Sequence, residues 1–252
     1  MAARKRGRKR RRSRGRFGFL YMLLSVALIL AAIVFACIVF FRVDQIEVSG
    51  QARYTQAQIV EASGVARGDS LVRLSKRALS KRILSRLPYV DEISFTRRMP
   101  DTLVIKLTEC TPIAAVQAEG GWWILDARGK YLERVAATPA LPEVLGITPT
   151  DPAVGTKCTV AAEQQLRRDS LLQLFAALKA RDMAANAGGF DLTAENVILM
   201  QYAGRFTVKL PMSTDFNYQM KVVSSAVKTL PETDTGILDL TLEDAPHLIP
   251  YD

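Results

Sequence analysis

The sequence predicts an α+β fold laid out in series: a single N-terminal transmembrane helix, a small domain of order β-α-α-β-β, and a second β-rich domain with helices on one face. Three observations carry that expectation. Residues 19–41 hold no charge, residues 43–109 run through strand and helix patterns in a definite order, and residues 121–242 carry hairpin patterns interrupted by two amphipathic stripes. At 252 residues the chain has room for one or two folded domains beside a membrane segment.

The charge is concentrated at the start. Ten of the 34 Lys and Arg residues lie within residues 1–16 (Arg4, Lys5, Arg6, Arg8, Lys9, Arg10, Arg11, Arg12, Arg14 and Arg16), with no acid among them. The other 24 stand against 25 acidic residues, so the rest of the chain is nearly neutral despite a net charge of +9. A nucleic-acid-binding domain would carry a basic face of its own, and none is expected in the body. Phe19 to Phe41 then gives 23 uncharged residues, fifteen of them Leu, Ile, Val or Phe. As a helix this run is about 34 Å long, against a hydrocarbon core of about 30 Å. Only Arg42 follows directly, so the positive-inside bias puts the N-terminus in the cytoplasm and residues 42–252 outside. The ten basic residues are then a topology determinant that also lies on anionic membrane lipid. A cleavable signal peptide would have a shorter apolar region and small residues at its exit, whereas this run leaves through Val39-Phe40-Phe41-Arg42. Val34-Phe35-Ala36-Cys37 matches a lipoprotein processing site only loosely, since four apolar residues follow Cys37.

Beyond the span, Val43 to Val48 alternates apolar and polar residues as a half-buried strand does, and Ser49-Gly50 ends it. Thr55-Gln56-Ala57-Gln58 has capping-box spacing and starts a short helix that stops at Gly64. Leu79, Ile83 and Leu87 recur every four residues among Lys76, Arg77, Lys81, Arg82 and Arg86, which predicts a second helix ended by Pro88. Its basic face reads as solvated, although the membrane surface is close. Strands follow at Val90–Arg97 and Thr102–Glu109, joined by a turn at Met99-Pro100-Asp101. Farther on, Trp123 to Leu132 predicts a hairpin turning at Ala127-Arg128-Gly129, and a helix fits Ala162 to Ala185 with Gly188-Gly189 beyond its end. Val197–Tyr202 and Phe206–Leu210 form a second hairpin, and Asp215–Leu230 a helix stopped by Pro231. The last predicted strand is Gly236 to Leu242, with Leu238, Leu240 and Leu242 facing the core and Ile237, Asp239 and Thr241 opposite.

Two stretches carry a family resemblance. Val43 to Gly50 resembles the V-x-x-I-x-V-x-G opening, and Pro88 to Ala114 (PYVDEISFTRRMPDTLVIKLTECTPIA) the most characteristic stretch, of the bacterial division proteins FtsQ, also called DivIB. Pro88, Val90, Arg97, Pro100, Thr102, Leu103, Ile105, Glu109, Pro112 and Ala114 sit at the family's spacing, while Met99 and Cys110 depart from it. Weaker likenesses lie at Leu141 to Gly146 and at Leu238-Asp239-Leu240, where Thr241 replaces a typical Arg. The resemblance implies a POTRA (polypeptide-transport-associated) domain at about residues 42–111. The resulting segments are a basic cytoplasmic tail at 1–18, the transmembrane helix at 19–41, the POTRA domain at 42–111, a β domain at 112–242 and a C-terminal tail at 243–252. It also implies a cell-membrane scaffold of the division septum, which recruits and regulates septal cell-wall synthesis through single-span FtsB/DivIC-like and FtsL-like partners. The alternative is a POTRA-containing protein translocation or secretion component, which would normally bring repeated POTRA units or a β-barrel.

No catalytic constellation emerges. His247 is the only histidine and follows Pro246 near the chain's end, so neither a triad nor a His-based metal site can be built around it. Three cysteines exclude a disulfide-dense scaffold, and Cys110 and Cys158 alone give no framework. Neither a Walker-type phosphate loop nor a G-x-G-x-x-G fingerprint occurs, and Trp122-Trp123 reads as strand core. The sequence therefore points to no enzyme, cofactor, metal or small-molecule substrate. An edge strand offers unpaired N–H and C=O groups to which a partner can add a strand. The terminal strand and the residues after it (Gly236, Ile237, Leu238, Asp239, Leu240, Thr241, Leu242, Glu243, Asp244 and Ala245) are the expected docking edge.

Overall fold

A computed structural model of the chain describes residues 15–242 and 246–251. Nine of the ten N-terminal basic residues, from Arg4 to Arg14, lie outside the described residues, as do Glu243, Asp244 and Ala245. Helix α1 runs Gly15–Phe40, with Arg16 in its first turn. Its segment Gly18–Ala36 is long and apolar enough to cross a membrane, and none of it is buried against the rest of the chain.

The first domain contains β1 (Gln45–Ser49), α2 (Gln56–Ser63), α3 (Lys76–Arg86), β2 (Val90–Arg98) and β3 (Thr102–Glu109). Its sheet has the order β1-β3-β2, with β1 parallel and β2 antiparallel to β3. Local chemistry sets the helix ends. The Thr55 side chain accepts from the Gln58 N–H while Gln58 Oε1 accepts from the Thr55 N–H, and Gly64 closes α2 in the left-handed region at φ 66°. Ile59 and Ala62 of α2 and Leu79 and Ile83 of α3 pack on Phe95, Leu103, Ile105 and Leu107 of the strands. Each such aliphatic side chain contributes about 1.5–3 kcal/mol by leaving water.

Cys110 and Thr111 lead into the second sheet. It contains β4 (Pro112–Ala118), β5 (Gly121–Asp126), β6 (Tyr131–Val135), β7 (Glu143–Leu145), β8 (Ala187–Asp191), β9 (Val197–Tyr202), β10 (Phe206–Pro211), β11 (Gly236–Asp239) and β12 (His247–Pro250). The nine strands lie in the order β12-β11-β10-β9-β8-β7-β4-β5-β6. Helices α4 (Gln165–Ala180) and α5 (Phe216–Thr229) share one core with the sheet, in which Leu174, Phe175, Met220 and Val223 meet Phe190, Met200, Val208 and Leu238. The molecule is thus a mixed α+β protein: an apolar N-terminal helix, a β-α-α-β-β domain and a β-rich domain with two helices.

Four expectations change. Strand β4 had no alternating signature, because Ile113, Ala114, Ala115 and Val116 lie between β7 and β5 and are all buried. Helix α4 stops at Ala180 rather than Ala185, where Asp182 turns left-handed at φ 56° and the Met183 N–H bonds back to the Leu178 carbonyl. The following Gly188-Gly189 lies inside β8. The last predicted strand ends at Asp239, leaving Leu242 57% exposed instead of in the core, and the presumed tail supplies β12.

Candidate functional site

The region expected to be a sheet edge is not one. Strand β11 pairs in parallel with β10 (Phe206 opposite Gly236) and antiparallel with β12 (Ile237 opposite Ile249). Gly236, Ile237, Leu238 and Asp239 therefore have both backbone sides occupied, and the free edge moves out to His247–Pro250. Pro250, which has no N–H to give a ladder, fits an edge position. The cause of the early stop is Asp239. Its Oδ1 accepts both the Thr241 N–H (2.9 Å) and the Thr241 hydroxyl (2.6 Å), so Thr241 turns away from the strand. Asp191 and Thr193 make the same pair of bonds at the end of β8, at 2.8 and 2.6 Å. The signal was legible: Asp-Leu-Thr occurs at 191–193 and again at 239–241.

Beneath this edge α5 and the last two strands enclose a groove of about 550 Å³, lined by Tyr218, Val222, Ala226, Leu230, Leu238 and Leu248. Ile249 and Tyr251 are exposed on the other face of the sheet, at 51% and 48%, where the Tyr251 hydroxyl meets Thr207. At the opposite end of the sheet, the loop at 155–156 bonds to both the N–H and the C=O of Tyr131 in β6. Of the two end strands, β12 is the more open.

A second constellation, invisible in the sequence, joins the two domains. On one side the Arg128 guanidinium takes Asp91 (2.8 Å) and Glu92 (3.1 Å), and Lys130 Nζ donates to the Val90 carbonyl (2.8 Å). On the other, the Tyr89 hydroxyl donates to Glu133 (2.7 Å), and Arg53 stacks over the Tyr89 ring at 3.9 Å. Tyr89, Cys110, Ile124 and Leu132 form the apolar centre between them. Burial raises the Tyr89 phenol above its ordinary value, and its bond to Glu133 adds to that, so it stays a donor.

The remaining candidates stand apart from one another. His247 is exposed in β12 opposite Asp239. Cys110 and Cys158 are separate buried thiols, and burial pushes that of Cys110 up to about 11 and raises that of Cys158. Trp123 is core, edge-on to Tyr131 at 5.3 Å. Among the described residues no three His, Cys, Asp or Glu side chains gather as metal ligands would.

Residues 41–109, the whole of the first domain, match the model of the FtsQ-type POTRA domain. The chain is 32% identical over 103 residues to the cell division protein FtsQ of Corynebacterium glutamicum, covering 41% of this chain and 45% of that one. To FtsQ of Streptomyces coelicolor it is 31% identical over 132 residues, covering 51% and 50%. To FtsQ of Streptomyces bingchenggensis it is 23% identical over 208 residues, covering 81% and 75%. The chain carries an FtsQ-type POTRA domain and is similar to FtsQ cell division proteins. It spans about half the length of the first two relatives it matches. The extracytoplasmic domain of DivIB from Geobacillus stearothermophilus aligns with half of the chain, at 12% identity and a TM-score of 0.30, covering 99% of that domain. In this FtsQ-type domain the residues that carried the resemblance have visible work. Glu109 accepts hydrogen bonds from the N–H groups of Ala52, Arg53 and Tyr54, fixing the approach to α2. Arg97 donates to the Leu74 carbonyl and ties β2 to the loop ahead of α3. Pro88 follows the last residues of α3 and begins the turn into β2.

Proposed function

We propose that the chain is a bitopic, non-catalytic scaffold of the bacterial division machinery. In this reading α1 crosses the cell membrane with its N-terminus in the cytoplasm, and both folded domains stand outside at the division septum. They recruit and regulate septal cell-wall synthesis by contact with FtsB/DivIC-like and FtsL-like single-span partners. The FtsQ-type POTRA domain and the similarity to FtsQ proteins support the setting, and the basic run ahead of the apolar helix supports the orientation. The observation that carries the mechanism is the open outer side of β12 with an apolar groove beneath it. A partner strand added there gains main-chain hydrogen bonds, and side chains dropped into the groove supply selectivity. The docking site thus comprises Pro246–Tyr251, with Gly236–Asp239 as the strand behind it.

The test is recovery of these partners from cross-linked membranes. The full chain retains them, while a chain lacking residues 246–252 and an Ile249→Asp variant both lose most of them. Undiminished recovery with the folded Ile249→Asp chain overturns the docking site. A reporter fused after Asp252 that works only in the cytosol overturns the orientation.

A further inference from the structure

The segment just after α1 is fastened to a loop far along the sequence. The Leu71 N–H bonds to the Phe41 carbonyl (2.9 Å), the Val43 N–H to the Asp69 carbonyl (2.8 Å), and the Gly68 N–H to the Val43 carbonyl (2.8 Å). Arg42 pairs with Ser70 as a short antiparallel bridge. These bonds fix the depth of the loop relative to the span. The uncharged run Phe19–Phe41 measures about 34 Å as a helix, a few ångströms more than the hydrocarbon thickness of about 30 Å, so its outer end emerges among the headgroups. Phe41 therefore lies at headgroup level, and so does whatever is bonded to it.

The loop held there is basic with one bare apolar side chain. Arg42, Arg67, Arg73, Lys76 and Arg77 are all exposed, and Val72, next to the pinned Leu71, is 44% exposed. Among the nearby acids, the Asp69 carboxylate accepts the Ala66 N–H (3.0 Å) and that of Asp101 accepts the Thr102 hydroxyl (2.9 Å), leaving Asp44 and Glu61, the latter in one pocket with Arg67, as exposed ones against five basic side chains. Among the described residues none of the five basic side chains has a carboxylate within 4.0 Å.

We propose that residues 66–77 are a membrane-resting foot of the POTRA domain: Arg42, Arg67, Arg73, Lys76 and Arg77 take anionic phospholipid headgroups, and Val72 enters the interface between headgroups and acyl chains. The inference rests on α1 being a membrane span. It goes beyond the scaffold reading by holding the first domain against the leaflet where α1 ends, so that the outer domain has a set height and tilt. Basic residues near an anionic surface act at short range and are screened by salt, so the contact requires the span to bring them there.

The test uses the full chain, with Cys37→Ser and a nitroxide attached through Val72→Cys. Cys110 and Cys158 are buried and leave the label site-specific. The chain is reconstituted into vesicles of phosphatidylcholine, with or without phosphatidylglycerol. Relaxation by a water-soluble nickel complex reads exposure. With phosphatidylglycerol the label is shielded about fivefold or more relative to one at exposed Tyr218, and both high salt and replacement of Arg67, Arg73, Lys76 and Arg77 by Gln remove the shielding. Equal nickel access in both vesicle types, in chains that resist carbonate extraction, overturns the foot while leaving the span intact. Extraction by carbonate overturns the span and the foot together.

Discussion

Asp239 lies across from Lys209 in the parallel β10–β11 pair, and its two carboxylate oxygens have different partners. Oδ2 accepts Lys209 Nζ at 3.0 Å, while Oδ1 holds Thr241 and ends the strand. Burial opposes its ionisation, but the bonds from Thr241 and Lys209 outweigh that and keep the carboxyl below its ordinary 3.8. A carboxyl lowered in the folded state contributes stability that is complete above 3.8 and is lost as the pH falls through the folded value. Asp239→Asn should therefore cost about 1–2 kcal/mol at neutral pH and remove part of the loss seen below pH 4, as measured by urea unfolding of both chains across that range. Asp239 was visible in the sequence as a polar residue on an alternating strand. Its role as the end of that strand was not, because alternation describes faces and says nothing of where a side chain captures the backbone.

At the scale of elements, Gly236 governs how β12 attaches. Its φ is +156°, and a Cβ there would lie 2.3 Å from the Ile249 carbonyl oxygen, in backbone that cannot swing away. Gly236→Ala should lift β12 from β11 while β9 and β10 stay paired. Hydrogen exchange at the His247 and Ile249 amides reports it: protection falls by at least tenfold there, and that of Val208 changes little. Unchanged protection at Ile249 would mean that the pairing tolerates a methyl group, and the edge is less tightly built than its geometry implies. A strand of four residues bounded by Pro246 and Pro250 carries too little pattern to be recognised alone. It forms because β11 offers it a ladder and Leu248 packs against the core.

At the scale of the whole molecule, two polar clasps flank the apolar centre where the sheets meet. Asp91 keeps only 9% of its side chain exposed and is reached by Arg128 and, at 3.9 Å, by Lys179. Arg128 and Glu133 are more open, at 56% and 37%, so each contact alone is worth at most about 1 kcal/mol. Removing both clasps with Arg128→Ala and Glu133→Gln should leave each domain folded but loosen their mutual orientation. Spin labels on α3 and α4 should then give a clearly broader distance distribution than in the unaltered chain. An unchanged width would show that Tyr89, Cys110, Ile124 and Leu132 suffice to lock the pair. Asp91-Glu92 and Arg128 are too far apart in sequence for any local pattern to connect them.

What the sequence determined by itself was whatever depends on near neighbours along the chain. The apolar helix over Phe19–Phe40, the Thr55 capping box, the Leu79–Ile83 stripe and the hairpin at Ala203-Gly204-Arg205 all follow from periodicity, caps and turns acting within a few residues. The family resemblance sat in the same stretches, because Pro88, Arg97 and Glu109 terminate and tether elements locally legible in the chain. Tertiary structure alone decided which strand lies outermost, which buried run becomes the central β4, where the two domains clasp, and that residues 68–71 return to the end of the apolar N-terminal helix. Each of those is a backbone hydrogen bond or charge pair between distant residues, and its partner is chosen only when the sheets and helices have packed.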